Sequence, residues 1–149
     1  MTMETFAFHH LGIAVVDIDS ALGFYQTALG FAQVSNTVCD PIQKVKVCFL
    51  SNSQSSNLKL ELISPLESAS PVNGYLSKGI GAYHICYEVE RIEDALKALR
   101  AKGCALVAPP VPAVAFNGRR IAWCFLPTRH LVELVEAELA GTGGGADGG

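Results

Sequence analysis

The sequence lacks an excess of positive charge. Eleven lysine and arginine residues are set against 14 aspartate and glutamate residues, which gives a formal net charge of −3 at pH 7. A protein that binds nucleic acid draws most of its affinity from cationic side chains on the phosphate backbone. The charge balance therefore argues against DNA or RNA as a partner.

Long apolar segments are also missing. Met1–His9 has neither the basic stretch nor the long apolar run of a secretory signal. The longest apolar run, Cys104–Phe116, is too short to span a bilayer and contains prolines at positions 109, 110 and 112. We expect no membrane association and a cytoplasmic location.

Cysteine spacing gives no sign of a disulfide framework. The five cysteines are odd in number and form no Cys-x-x-Cys pair; they stand at positions 39, 48, 86, 104 and 124. Most of them lie in apolar runs, where a free thiol usually behaves as a small buried side chain. The pattern favours reduced thiols in the cytosol.

The chain is rich in apolar residues and carries an internal repeat. Half of its 149 residues are hydrophobic, which is enough to bury the core of one compact unit. A shift of about 74 positions superposes the chain on itself. The shift pairs His10 with His84, Val15 with Val89, Ile18 with Ile92, Ala21 with Ala95 and Leu22 with Leu96.

Each copy of the repeat predicts a βαβββ module, and the fold class is α+β. Both copies open with a strand that leads into an amphipathic helix, predicted over Ile18–Leu29 and Ile92–Lys102. Asp17 or Asp19 is the expected cap of the first helix, and Gly30 and Gly103 are the expected stops. The remaining predicted strands are Ala32–Val38, Val45–Leu50, Leu58–Ile63, Ala105–Ala108, Arg119–Phe125 and Leu131–Glu136.

The predicted organisation has four parts. Residues 6–66 form the first module, 67–81 a linker with a short helix near Val72–Lys78, and 82–139 the second module. Residues 140–149 are dominated by glycine and have little to bury, so we expect them to be disordered. The two modules are expected to form a curved mixed sheet.

Two histidines and two glutamates occupy matching places in the two modules. His10 and His84 lie in the first predicted strand of each module, and Glu61 and Glu133 lie inside an apolar last strand. A carboxylate with such neighbours is costly to bury without a partner. If the modules pair about a twofold axis, all four side chains can meet at the centre of the sheet. Imidazole and carboxylate ligands suit one divalent ion, and zinc, nickel, cobalt, manganese and iron are all chemically possible.

Each of these residues also has an ordinary structural interpretation. A single histidine at a strand end is usually hydrogen-bonded within the fold, and a single glutamate in a strand usually faces solvent. The repeat symmetry that links both pairs favours the metal site over these interpretations. His9 and His130 have no histidine at the matching position, and we predict that neither is a ligand.

The motifs resemble those of the vicinal oxygen chelate superfamily, and within it those of methylmalonyl-CoA epimerases more than glyoxalase I. The resemblance covers about residues 8 to 138 and is strongest in His10–Val15, Leu29–Phe31, Glu61–Leu66, His84–Val89 and Val132–Glu136. It implies that His10, Glu61, His84 and Glu133 bind one divalent metal ion. It also implies an enzyme that removes the proton next to the carbonyl group of an acyl thioester or 2-oxo substrate.

The resemblance further implies which carboxylates take part in catalysis. In glyoxalase I the residue that matches Glu133 is both ligand and base, so Glu133 is the first candidate for the base and Glu61 the second. Some epimerases have another glutamate on the third strand, where this chain has Val47. The chain therefore departs from the standard two-base pattern of these epimerases at position 47.

The predicted substrate-binding residues come from loops that depart from the epimerase pattern. Phe116 and Trp123 suggest an apolar or acyl-binding pocket, and Lys44, Arg119 or Arg120 are candidates to pair with a carboxylate or phosphate. A solvated surface position is the ordinary interpretation of each basic residue.

Three other functions remain open at this point. A glyoxalase I-like lactoylglutathione lyase would need a cationic clamp that the sequence does not identify. A ring-cleaving dioxygenase uses two histidines and one carboxylate, and four candidate ligands argue against it. A non-catalytic small-molecule binding or resistance protein of the same fold typically loses the ligand set. Relatives pair their modules both within and between chains, so the resemblance is also compatible with a homodimer.

Overall fold

The computed structural model describes residues 5–138, so the predicted glycine-rich tail lies outside the described residues. The first half contains β1 (Ala7–Ala14), α1 (Ile18–Ala28), β2 (Ala32–Gln33), β3 (Val38–Asp40), β4 (Val45–Asn52) and β5 (Ser55–Pro65). Helix α2 (Val72–Ser77) follows in the segment predicted as a linker. The second half contains β6 (Ala82–Val89), α3 (Ile92–Ala101), β7 (Ala105–Pro112), a short 3-10 helix (Val114–Phe116), β8 (Arg120–Phe125) and β9 (Leu131–Glu136).

These strands form one curved mixed sheet, which confirms the predicted α+β fold. The strand order is β2-β4-β5-β1-β6-β9-β8-β7, with β3 pairing to β4. Within the halves, β1 runs parallel to β5 and β6 runs parallel to β9. The halves join through the antiparallel pair β1–β6, so an approximate twofold axis passes between these two strands. The module bounds 6–66 and 82–139 remain a proposal.

Side-chain alternation along the strands separates the helix face from the concave face. Cys48, Leu50, Leu60 and Leu62 are buried in one cluster with the start of α1. An equivalent cluster under α3 contains residues of β8 and β9, among them Ala122, Cys124, Val132 and Leu134. Because successive side chains point to opposite faces, Glu61 and Glu133 lie on the concave face, away from α1 and α3.

The helix boundaries follow the predicted signals closely. The carboxylate of Asp17 accepts a hydrogen bond from the backbone N–H of Ser20 at 2.9 Å, so Asp17 rather than Asp19 is the cap. Gly30 and Gly103 have φ angles of +75° and +93°, a region that favours glycine. Each helix ends one residue earlier than predicted. Of the described helices, none is long and apolar enough to cross a membrane.

Several predicted strands are wrong in their extent. Strands β4 (Val45–Asn52) and β5 (Ser55–Pro65) are longer than predicted. Two others differ for reasons that the hydrogen bonds and the strand pairing show. The predicted strand Ala32–Val38 is divided into β2 and β3. Between them, the hydroxyl of Ser35 accepts a hydrogen bond from the backbone N–H of Phe49 at 2.8 Å, where a continuous strand would supply a backbone carbonyl. Strand β7 continues from Ala105 to Pro112 through the prolines predicted to end it. It lies at the edge of the sheet, where missing N–H donors are tolerated, and its pairing register shifts near the prolines.

Two β-bulges interrupt the central pair β1–β6. Phe8 pairs with Tyr87 and His10 with Cys86, which leaves His9 as an extra residue in β1. Gly12 pairs with His84 and Ile13 with Ala82, which leaves Tyr83 as an extra residue in β6. A bulge re-aims the side chain of the extra residue, so His9 and Tyr83 depart from the alternation of their strands. They are 74 positions apart and therefore equivalent in the repeat.

Candidate metal centre and cavity

Four predicted side chains meet at the centre of the concave face. His10 comes from β1, Glu61 from β5, His84 from β6 and Glu133 from β9. All four residues are buried, with at most 4% of the surface of any one exposed. The repeat explains the arrangement, because Gly12 pairs with Glu61 in the first half and its equivalent, Cys86, pairs with Glu133 in the second.

The donor atoms of these residues face one another closely. His10 Nε2 lies 3.3 Å from Glu61 Oε1 and 3.2 Å from Glu133 Oε1. His84 Nε2 lies 3.7 Å and 3.4 Å from the same two oxygens, and the two Nε2 atoms are 3.2 Å apart. A tetrahedral ion with bonds of about 2.1 Å would hold its ligand atoms about 3.4 Å apart. The observed separations therefore fit a single divalent ion.

Protein hydrogen bonds leave part of this polar cluster unsatisfied. Among the described residues, the buried His84 Nδ1 has no hydrogen-bond partner. The buried Glu133 Oε1 lies 3.2 and 3.4 Å from the Nε2 atoms of His10 and His84 but accepts no well-aligned hydrogen bond. Buried polar atoms of this kind are rare and call for an explanation such as an ion or a catalytic role. The free acceptor on Glu133 supports the fit of a cation to these four residues.

The carboxylates control the charge of His10. Burial acts to lower the pKa of His10, but Glu61 and Glu133 outweigh it and raise the pKa to about 10. Burial acts to raise the pKa of Glu133, and the neighbouring His10 and His84 lower it further than burial raises it. Without a metal ion, His10 therefore carries a proton at neutral pH and forms an ion pair with the carboxylates.

This protonation predicts how the stability of the metal-free protein depends on pH. The pKa of His10 is higher in the folded protein than its ordinary value of 6.5, so its stabilising contribution is complete below pH 6.5 and is lost as pH rises towards 10. We expect the free energy of unfolding of chelator-treated protein, measured with urea at pH 7 to 10, to decrease over this range. His10→Gln should flatten this dependence. An equal slope in both proteins would contradict the assignment.

A glycine allows His84 to take its position. A Cβ atom at Gly12 would lie only 1.9 Å from Cε1 of the His84 ring, and it would also overlap both ring nitrogens. The ring therefore lies directly over the backbone of β1. No residue with a side chain fits at position 12 unless His84 moves.

Gly12→Ala tests this packing. We expect it to reduce the free energy of unfolding by about 1–3 kcal/mol, as overpacking of a core typically does. Gly23→Ala in α1 is the matched control, because a Cβ there meets nothing within 4 Å and alanine favours a helix. Urea unfolding compares the two variants, and equal stabilities would show that His84 moves aside without cost.

Next to the four residues lies a cavity of about 300 Å³. Glu61 and Glu133 are part of its wall, together with side chains from both halves of the chain. Most of the wall is apolar; it includes Val45, Val47, Ile63, Val72, Ala113, Ala115, Phe116, Ile121 and Trp123. Asp40 is a third carboxylate on the wall. A small, largely apolar cavity with a few polar groups suits a small ligand that presents its own polar groups to the centre.

The structure separates the predicted substrate-binding residues into two groups. Phe116 and Trp123 line the cavity. Lys44, Arg119 and Arg120 are not among the residues that line it, and each is paired with a carboxylate elsewhere. Their partners are Glu67 at 3.7 Å for Lys44, Glu88 at 3.0 Å for Arg119, and Glu93 and Glu136 for Arg120. Within residues 5–138, the cavity wall therefore has no cation.

Two tyrosines on the cavity wall escaped the sequence analysis. Tyr83 stacks against Tyr75 with ring centroids 4.6 Å apart, and it contacts the ring of His84 at 4.5 Å. Burial and the nearby Glu61 and Glu133 raise the pKa of Tyr83 well above its usual range, so its phenol is neutral. Val47 packs in the same cluster, so the wall is apolar at position 47. The 74-residue shift could have pointed to Tyr83 as the counterpart of His9.

A polar link between the halves was also missed. The carboxylate of Asp40 accepts the backbone N–H groups of Ile42, Gln43 and Val114, and the side-chain oxygen of Gln43 accepts the indole N–H of Trp123 at 3.2 Å. In the sequence, the pair Asp40-Pro41 is typical of a turn and does not reveal these partners. These bonds hold the loop after β3 against the 3-10 helix and β8.

The two remaining histidines differ from each other. His130 is exposed and its Nδ1 lies 3.1 Å from the hydroxyl of Thr128. His9 is half-buried, and its Nδ1 lies 2.8 Å from Nδ1 of His10. The lack of a histidine partner for His9 was misleading, because Tyr83 occupies the equivalent bulge.

Comparison with known proteins identifies the family. Residues 9–123 match the model of the glyoxalase/bleomycin resistance protein/dioxygenase superfamily. The chain belongs to this superfamily. It is 38% identical over 132 residues to the uncharacterized protein YqjC of Bacillus subtilis, a match that covers 85% of this chain and 89% of YqjC.

Members of the superfamily similar to this chain include epimerases. The ethylmalonyl-CoA/methylmalonyl-CoA epimerase of Cereibacter sphaeroides is 35% identical over 115 residues, which cover 76% of this chain and 83% of the epimerase. The crystal structure of methylmalonyl-CoA epimerase from Mycobacterium tuberculosis superposes on this fold with a TM-score of 0.79. The two sequences are 26% identical, and the match covers 93% of each chain. The similarity therefore extends to enzymes that act on acyl-CoA thioesters.

Proposed function

We propose that this protein is a metal-dependent epimerase or isomerase that removes the proton next to the carbonyl group of an acyl thioester, as in methylmalonyl-CoA. The observation that carries the proposal is the meeting of four buried side chains, His10, Glu61, His84 and Glu133, beside an apolar cavity. These four residues would hold one divalent ion. Such an ion supplies Lewis-acid stabilisation of the negative charge that develops on a carbonyl oxygen.

The cavity favours a substrate whose charge is neutralised at the centre. Since no lysine or arginine of the described residues lines the wall, a carboxylate inside the cavity would have no cationic partner there. A malonyl thioester has a carboxylate and a carbonyl oxygen close together, and an ion held by these four residues would supply positive charge near both. The apolar wall then surrounds the small alkyl group on the carbon that loses its proton.

The proposed acid–base groups are the two carboxylates. Epimerisation needs a proton to leave one face of a carbon atom and return to the other. Glu133 and Glu61 are related by the approximate twofold axis and both line the cavity, so they approach it from different strands. We assign Glu133 as the first base and Glu61 as the group on the opposite face, since Val47 has no proton to transfer.

Ion content tests the centre itself. Purified protein loaded with zinc or cobalt and then desalted should contain about one ion per chain, measured by plasma mass spectrometry. His10→Ala and Glu133→Gln should bind the ion more weakly, because the first removes a ligand and the second replaces a charged ligand oxygen with a neutral one. His130→Ala is the control, since this exposed side chain lies outside the cluster. Ion binding that is unchanged in all three variants would contradict the assignment.

Isotope exchange tests the reaction and the roles of the two glutamates. In deuterium oxide with excess ion, the protein should incorporate deuterium at C2 of both epimers of methylmalonyl-CoA, followed by NMR and mass spectrometry. Glu133→Gln should lose exchange with one epimer and Glu61→Gln with the other, while both variants lose interconversion of the epimers. The ion content of each variant is measured alongside.

Two results would overturn this proposal. Exchange with neither epimer would remove the epimerase function, and faster turnover of the methylglyoxal–glutathione hemithioacetal would favour a lyase instead. If one glutamate variant loses exchange with both epimers and the other variant keeps exchange with both, a single carboxylate serves both faces of the carbon atom.

A further inference from the structure

A bulge in β1 directs His9 to the concave face, the same face to which the next residue, His10, points. Regular alternation would direct His9 towards the helix side of the sheet, opposite to His10. The bulge between Phe8 and His10 instead brings two consecutive imidazoles together. The chain thus departs from regular strand geometry at the residue that precedes a candidate ligand.

The contact between the two rings has a specific chemical meaning. Their Nδ1 atoms are 2.8 Å apart, so one of them carries a proton and the other accepts it. Nε2 of His10 is the atom that faces Glu61, Glu133 and His84. A proton on His10 Nδ1, donated to His9, leaves the lone pair of His10 Nε2 directed at the centre.

The His9 ring is held in place by aromatic neighbours. It contacts the rings of Phe49 and Phe116 edge to face, with centroid distances of 6.0 and 5.3 Å. The same two phenylalanines contact the ring of His10. His9 and His10 therefore form one packed unit in which the angle of each ring depends on the other.

Residues 82–138 of the second half contain no equivalent arrangement. At the matching bulge the residue is Tyr83, which packs against the ring of His84 and lines the cavity. Nδ1 of His84 has no hydrogen-bond partner among the described residues. Among the described residues, His10 is thus the one of the two central histidines whose Nδ1 is held by a hydrogen bond to a neighbouring side chain.

We propose that His9 is a positioning residue that accepts the Nδ1 proton of His10 and so sets the affinity of the centre for a divalent ion. The inference rests on the proposed ion site and is independent of the epimerase reaction. Partners of this kind fix the tautomer and ring angle of a metal-binding histidine, and their loss typically lowers metal affinity by about 10–100-fold.

Two substitutions separate hydrogen bonding from packing. His9→Leu removes the acceptor, and we expect it to weaken cobalt binding by about 10–100-fold, measured by competition with a chelating dye. His9→Asn places a side-chain oxygen near the position of Nδ1 and should restore most of the affinity. His130→Leu is the matched control, because it removes an exposed imidazole away from the centre.

A spectroscopic measurement on the metal-loaded protein completes the test. Nitrogen-15 NMR of the zinc-bound wild type should show a protonated Nδ1 on His10, and this proton should exchange faster with solvent in His9→Leu. Equal affinity in all variants would overturn the proposal, and so would an equal loss in His9→Leu and His9→Asn. If the wild type binds cobalt but exchanges no deuterium into methylmalonyl-CoA, the epimerase function fails and the role of His9 stands. A wild type that binds no ion would overturn both.

Discussion

The site depends on the antiparallel pairing of β1 with β6. This pair places His10 beside Cys86 and Gly12 beside His84, so that the two histidines meet across the twofold axis. The parallel partners β5 and β9 then bring one glutamate from each side. A change of one residue in the central register would move every side chain of one strand to the other face and disperse the cluster. The four-residue centre is therefore a property of the join between two halves, and neither half contains it alone.

Burial of the charged side chains in this cluster costs free energy unless each has a partner. Each carboxylate buried in the sheet needs compensation, and His10 provides it in the metal-free protein by keeping its proton. A divalent ion would provide stronger compensation and would displace that proton. The remaining wall of the cavity is mostly apolar, although Asp40, Gln43, Tyr75 and Tyr83 also line it, and it lacks a cation within the described residues. The Asp40 carboxylate already accepts backbone N–H groups, which leaves Glu61 and Glu133 as the carboxylates available for a reaction.

Much of this could be predicted from the sequence, since it follows from repetition and alternation. The 74-residue shift paired His10 with His84, and the apolar neighbours of Glu61 and Glu133 indicated buried strands with an unusual acid in each. The bulges could not be predicted, because only two residues of β1 precede His9 and one residue of β6 precedes Tyr83, too few for a shift in the alternation to show. The contacts of His9 with His10 and of Tyr83 with His84 were missed for this reason. Arg120 was misleading in the opposite way, since its partners Glu93 and Glu136 are distant in sequence and only the fold reveals them.

The central claim is that one divalent ion binds between the two halves through two nitrogens and two carboxylate oxygens. Anomalous diffraction from crystals grown with cobalt, recorded on both sides of the metal absorption edge, tests it most directly. The account predicts one strong peak within about 2.0–2.2 Å of Nε2 of His10 and His84 and of an oxygen of Glu61 and Glu133. A metal bound elsewhere on the chain, or four side chains turned away from one another with no peak between them, would contradict it.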